Sequence, residues 1–138
     1  MNALGVNLWA VLVAAVVSTA IGMVWYSPFV FGKKWSKLSG FTAKQTKEMK
    51  KGAGKSHAIQ FVATLVMAFV LALIINIAEP SKFADGAAVG FWMWLGFVAT
   101  VSLGRVLWEN ASVKLFLMNV GFNLVSIAVM GGILATLR

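Results

Sequence analysis

Residues 59–78 read IQFVATLVMAFVLALIINIA, a run without one charged side chain in which only Gln60, Thr64 and Asn76 interrupt the apolar pattern. At about 1.5 Å of rise per helical residue, such a run spans about 30 Å, the thickness of a bilayer's hydrocarbon core. Inside that core a helix satisfies its own backbone N–H and C=O groups, which a lone extended segment cannot do. The stretch therefore predicts a transmembrane helix. Three others share its character, Val6–Trp25, Ala87–Leu107 and Leu115–Leu137. The expectation is an all-α membrane protein, with residues 1–138 forming a single transmembrane domain built as an up-down bundle of four transmembrane helices. Composition agrees: 60% of residues are hydrophobic and 12% are charged, which leaves little for a water-soluble domain.

Charge gives this bundle an expected orientation. The connection 33–55 carries Lys33, Lys34, Lys37, Lys44, Lys47, Lys50, Lys51 and Lys55 against the single acid Glu48. Basic connections stay on the cytoplasmic side. The short link between the third and fourth stretches, flanked by Arg105 and Lys114, falls on that same side, and both termini fall outside. The outer face keeps Lys82 and Arg138, offset by Glu79 and Asp85. No basic residue precedes the first apolar stretch, which is also too long for the core of a cleaved signal, so it is expected to remain as a helix. A net charge of +8 raises the question of nucleic acid. The tract has no arginine fork for reading bases, and nucleic acid is not an expected partner. The absence of cysteine excludes disulfides, thiolate catalysis and lipid attachment to sulfur.

Local punctuation supports the boundaries. The first helix closes on Trp25-Tyr26-Ser27-Pro28, where amphipathic rings suit the headgroup level and proline stops the helical bonding. Trp25, Lys33, Lys34 and Trp35 are the expected headgroup contacts. Thr42 and Gln45 stand at capping-box spacing ahead of a short helix over Ala43–Lys51. Small residues recur every fourth position as Ala14, Ser18 and Gly22, as Gly96, Thr100 and Gly104, and as Ala128, Gly132 and Thr136. Such stripes let membrane helices approach closely, either within one bundle or between protomers.

Polar groups are costly in hydrocarbon, so their depth is informative. Most gather in the half next to the lysine tract. His57, Gln60 and Thr64 share one face of the second helix, Arg105 and Glu109 form an i,i+4 pair on the third, and Asn119 and Asn123 share a face of the fourth. Tyr26 of the first helix lies at the same level. These residues are expected to form a ligand-binding cup open to the cytoplasm. The outer half offers little beyond Asn76, Ser18 and Thr19, which disfavours a conductive pore through one bundle. One histidine and scattered carboxylates make neither a catalytic constellation nor a metal site, so no catalytic residue, metal or cofactor is expected. The expected function is binding or movement of a small or amphiphilic molecule. The alternative is an accessory or assembly subunit of a larger membrane complex, with no ligand of its own. Membrane lipids and either further copies of the chain or a larger membrane protein are the expected partners.

Several of these segments together resemble one family. They are Trp25-Tyr-Ser-Pro28, Phe31-Gly-Lys-Lys-Trp35, Gly40-Phe-Thr42, Gly90-Phe-Trp-Met-Trp-Leu-Gly-Phe97, Trp108-Glu109 and Asn119-Val-Gly-Phe-Asn123. Across essentially the whole chain the sequence is similar to the DUF1761 family of small four-helix membrane proteins. The resemblance implies a protein of the bacterial inner membrane with an unassigned function, and it transfers no binding or catalytic residue.

Overall fold

Asn7 begins the first helix with its side chain: Oδ1 accepts the backbone N–H groups of Trp9 and Ala10 at 3.1 and 3.3 Å. Two of the donors that a helix start leaves open are thereby satisfied. The computed structural model describes residues 5–27, 37, 53–110 and 112–137. Four long helices follow one another: α1 (Leu8–Trp25), α2 (Ala53–Ala78), α3 (Phe83–Trp108) and α4 (Val113–Thr136). Each has enough length and apolarity to cross a membrane. The expected helix over Ala43–Lys51, with Thr42 and Gln45, lies outside the described residues.

Helices α2 and α3 extend beyond the apolar stretches that announced them, whereas α1 starts two residues inside its stretch, at Leu8. Hydropathy marks the part of a helix suited to lipid, whereas backbone bonding continues into polar sequence. Thus α2 starts at Ala53 rather than Ile59, and α3 at Phe83 rather than Ala87. Asp85 lies in the first turn of α3, where a carboxylate is favoured by the helix dipole, and accepts from Ser81 Oγ at 3.1 Å. Ser112 caps α4 by accepting from Leu115 N–H at 3.3 Å. Glu79 and Asn110 adopt positive φ after α2 and α3, turning the chain sharply between antiparallel neighbours.

Side-chain contacts define the packing. Asn7 Nδ2 donates to the Leu137 carbonyl at 2.8 Å, and Ser18 meets Ser126 at 2.5 Å, so α1 and α4 run antiparallel along their length. Val6, Ala10, Val11 and Ala14 meet Ala68, Leu71, Ala72 and Ile75 of α2 and Ile127, Met130 and Leu134 of α4. This core sits at the end away from the lysine tract. At the other end residues 54–60 of α2 are exposed.

Helix α3 meets α4 backbone to backbone. A Cβ on Gly86 would overlap the Gly131 carbonyl oxygen, and one on Gly90 would stand 2.5 Å from the Ile127 carbonyl oxygen. Among the covered positions of α3, Gly86, Gly90, Trp94, Val98, Ser102 and Val106 recur at a spacing of four, with Val89 and Met93 packed beside them. On a helix of 3.6 residues per turn that spacing drifts about 40° per step, or about 200° from Gly86 to Val106. The segment Trp94–Ala99 is π-helical, and its wider turn takes back part of the drift. One face of α3 therefore follows α4 from end to end.

Candidate functional site

Helix α4 is held from both sides by indole groups. Trp25 Nε1 donates to the Met118 carbonyl at 3.2 Å from α1, and Trp94 Nε1 donates to the Val120 carbonyl at 2.8 Å from the start of the π-helical segment. Next to these anchors the Tyr26 hydroxyl donates to Asn119 Oδ1 at 2.6 Å. The Tyr26 ring lies edge-on to Phe122 with centroids 5.5 Å apart, and Phe122 fills the space beside Gly22. A Cβ on Gly22 would come within 3.2 Å of that ring. Asn119 is thus fixed through its oxygen, and its NH₂ is the remaining hydrogen-bonding end.

One turn further along α4 stands Asn123. Ser102, Arg105 and Val106 from α3 face Leu115, Phe116, Asn119, Val120 and Asn123 from α4 around a cavity of about 130 Å³. At about 30 Å³ per water in the liquid, this is room for roughly four waters. Arg105 Nε donates to Glu109 Oε2 at 3.3 Å, with both side chains 65% exposed. An exposed pair of this kind contributes about 0–1 kcal/mol. The terminal amino groups of Arg105, the Ser102 hydroxyl and the Asn123 carboxamide have no hydrogen-bond partner among the described residues. Four polar groups with bonding capacity to spare therefore surround one small space with an apolar wall.

The family model described as a protein of unknown function, DUF1761, matches residues 9–135. The chain belongs to the DUF1761 family. No curated protein and no solved structure shows a significant match. The matched span includes every residue that lines the cavity between α3 and α4.

Of the residues expected to form a cup, this DUF1761 chain brings together only those of α3 and α4 around one cavity, with Tyr26 of α1 behind them. Arg105, Asn119 and Asn123 line it, Tyr26 supports Asn119, and Glu109 holds Arg105 at the rim. His57 and Gln60 are exposed and line no cavity described, while the buried Thr64 donates to the Gln60 carbonyl at 2.9 Å. The physical reason is the uncovered start of α2, whose packing begins at Thr64 and Ala68. Ser102 was not anticipated, although its i, i+3 and i+4 relation to Arg105 and Val106 was a usable signal.

The small-residue stripes divide in the same way. Ala14, Ser18 and Gly22 pack inside, Gly132 lies against the Phe83 ring, and Ala128 faces Gly90. By contrast, a Cβ on Gly96 would meet nothing, Thr100 bonds back to the Gly96 carbonyl at 2.7 Å, and Gly104 neighbours only Trp108 of its own helix. That stripe lies two residues out of phase with the packed one, so it faces away from α4. Trp25 is an interhelical anchor, and the other expected headgroup residues, Lys33, Lys34 and Trp35, lie outside the described residues. Among the described residues no three metal-ligating side chains stand together. A larger cavity, about 540 Å³, lies at the opposite end between Asn7, Ala10, Ala72, Ile75, Asn76, Pro80 and Leu134. Its lining carries no charge, and Asn76 Nδ2 there donates to the Gly5 carbonyl at 3.0 Å. Asn7 at the start of α1 and Asn76 near the end of α2 share this cavity because their helix ends lie together.

Proposed function

We propose that this chain is a multi-pass protein of the bacterial inner membrane that binds a small or amphiphilic molecule in the polar cavity between α3 and α4. The observation carrying this reading is the convergence of Ser102, Arg105, Asn119 and Asn123 on one space, each with a polar group left unpaired. A structural role for these residues would be expected to pair them with one another, as Ser18 pairs with Ser126. The lysine tract adjoins the same end of the bundle, and the positive-inside rule then opens the cavity toward the cytoplasm. Binding is favoured over passage straight through, because Ala14 and Met130 are fully buried between the two cavities. Native mass spectrometry of gently extracted protein tests the reading. A retained small molecule, lost on Asn123→Leu, supports it, and a chain that carries nothing in either form counts against it.

One observation favours the accessory-subunit reading. The face of α3 bearing Gly96, Thr100 and Gly104 also exposes Phe97, Val101 and Trp108, so it is open to a neighbouring helix as well as to lipid. In that case Gly96→Leu strips a co-extracted protein or a second copy from the chain, and changes in the cavity do not.

A further inference from the structure

We propose that the occupant of the α3–α4 cavity is an oxyanion, the phosphate or carboxylate head of an anionic amphiphile, and that Glu109 stands in for it on Arg105 while the cavity is empty. This rests on the binding reading above and adds the ligand's charge. The lining is rich in donors. Arg105 offers two terminal amino groups, Ser102 a hydroxyl, and Asn119 its NH₂, since the Asn119 oxygen is already taken by Tyr26. No carboxylate lines the cavity. A guanidinium that shares one lining with hydroxyl and carboxamide donors matches the oxygens of phosphate or carboxylate, which accept two parallel bonds from such a fork.

Size narrows the class. Room for roughly four waters within the lining suits one small oxyanion group. Val106, Leu115, Phe116 and Val120 supply an apolar wall, and the neighbouring side of α3 is exposed, so an attached hydrocarbon tail remains in the lipid beside the helices. Glu109 reaches only Nε of Arg105, and with both side chains largely exposed it is readily displaced. An incoming oxyanion on the terminal amino groups gains the contacts that Glu109 does not make. Lys114, next to Leu115 of the lining, adds positive charge that raises the local concentration of anions, an effect that weakens as salt increases.

The test is calorimetric titration of the full chain in a non-ionic detergent with three probes: a short-chain phosphatidic acid, the matching neutral diacylglycerol, and inorganic phosphate. Saturable binding of the phosphatidic acid, weakened about tenfold or more in Arg105→Gln, is expected for loss of hydrogen bonds to a charged group. Glu109→Gln should tighten binding, by about two- to fivefold, because an exposed competitor is removed. That gain cannot arise from misfolding. Competition by inorganic phosphate assigns the site to free oxyanions, whereas its failure to compete assigns the site to the headgroup of a lipid. Equal binding of the neutral and anionic amphiphiles, both lost in Asn123→Leu, overturns the oxyanion assignment and leaves the cavity reading standing. No binding of any probe removes both.

Discussion

The hydroxyl of Tyr26 fixes which end of the Asn119 carboxamide is left for a ligand. Tyr26→Phe keeps the ring against Phe122 and removes the 2.6 Å bond. Interhelical hydrogen bonds in membranes contribute about 0.6–2 kcal/mol, so the variant should unfold at lower dodecyl sulfate, as followed by tryptophan fluorescence. It should also bind anions more weakly, because the freed carboxamide can turn its oxygen into the cavity. An unchanged unfolding midpoint would show that the bond contributes nothing. Trp94 offers a parallel case with a built-in control: Trp94→Phe loses the bond to the Val120 carbonyl, whereas Trp92 is 61% exposed and Trp92→Phe should leave unfolding unaltered. In the sequence both rings belong to the same aromatic segment, Gly90–Phe97, and their difference is not legible there. Whether an indole N–H finds a carbonyl depends on how closely two helices approach, and that distance is set by glycines elsewhere. The polar residues were better signposts, since Arg105, Asn119 and Asn123 announced the cavity by depth and phase alone.

For α3 the decisive feature is register. Spacing of four was visible in Gly96, Thr100 and Gly104, but the face that packs centres on Gly86, Gly90, Trp94, Val98, Ser102 and Val106, flanked by Val89 and Met93. Mixed glycine, tryptophan and valine do not look like a small-residue stripe. Their common phase also depends on the π-helical turn at Trp94–Ala99, which no residue in it declares. Two alanine substitutions on one helix separate the stripes. Gly90→Ala drives a methyl into the Ile127 carbonyl and should destabilise by about 1–3 kcal/mol, the usual size of overpacking. Gly96→Ala meets open space and should be neutral within about 0.5 kcal/mol, or gain slightly from helix propensity. Thermal unfolding of the two variants in the same detergent decides the matter. Equal losses would mean that Gly96 is also packed, and only a contact from outside the chain could then supply the neighbour.

At the scale of the molecule, four apolar stretches were enough to foresee four helices, because lipid imposes length and backbone closure on any segment that crosses it. Less visible was the uncovered start of α2, which separates His57 and Gln60 from the cup, since hydropathy reports affinity for lipid and is silent on which helix covers which. The lysine tract bears on a different property, the side of the membrane to which the α3–α4 cavity opens. The chain has no cysteine, so single substitutions report their own location without background. Ser39→Cys lies within the tract, and Ser81→Cys lies in the connection between α2 and α3. In intact spheroplasts a membrane-impermeant maleimide should label Ser81→Cys at once and Ser39→Cys only after permeabilisation. That pattern would mean that Lys33 to Lys55 face the cytoplasm and that the oxyanion proposed for Arg105 is drawn from the cytoplasm or the inner leaflet. The reverse pattern would turn the same cavity toward the outer leaflet and leave its donors unchanged, so the ligand class would stand while its source moved to the other side of the membrane.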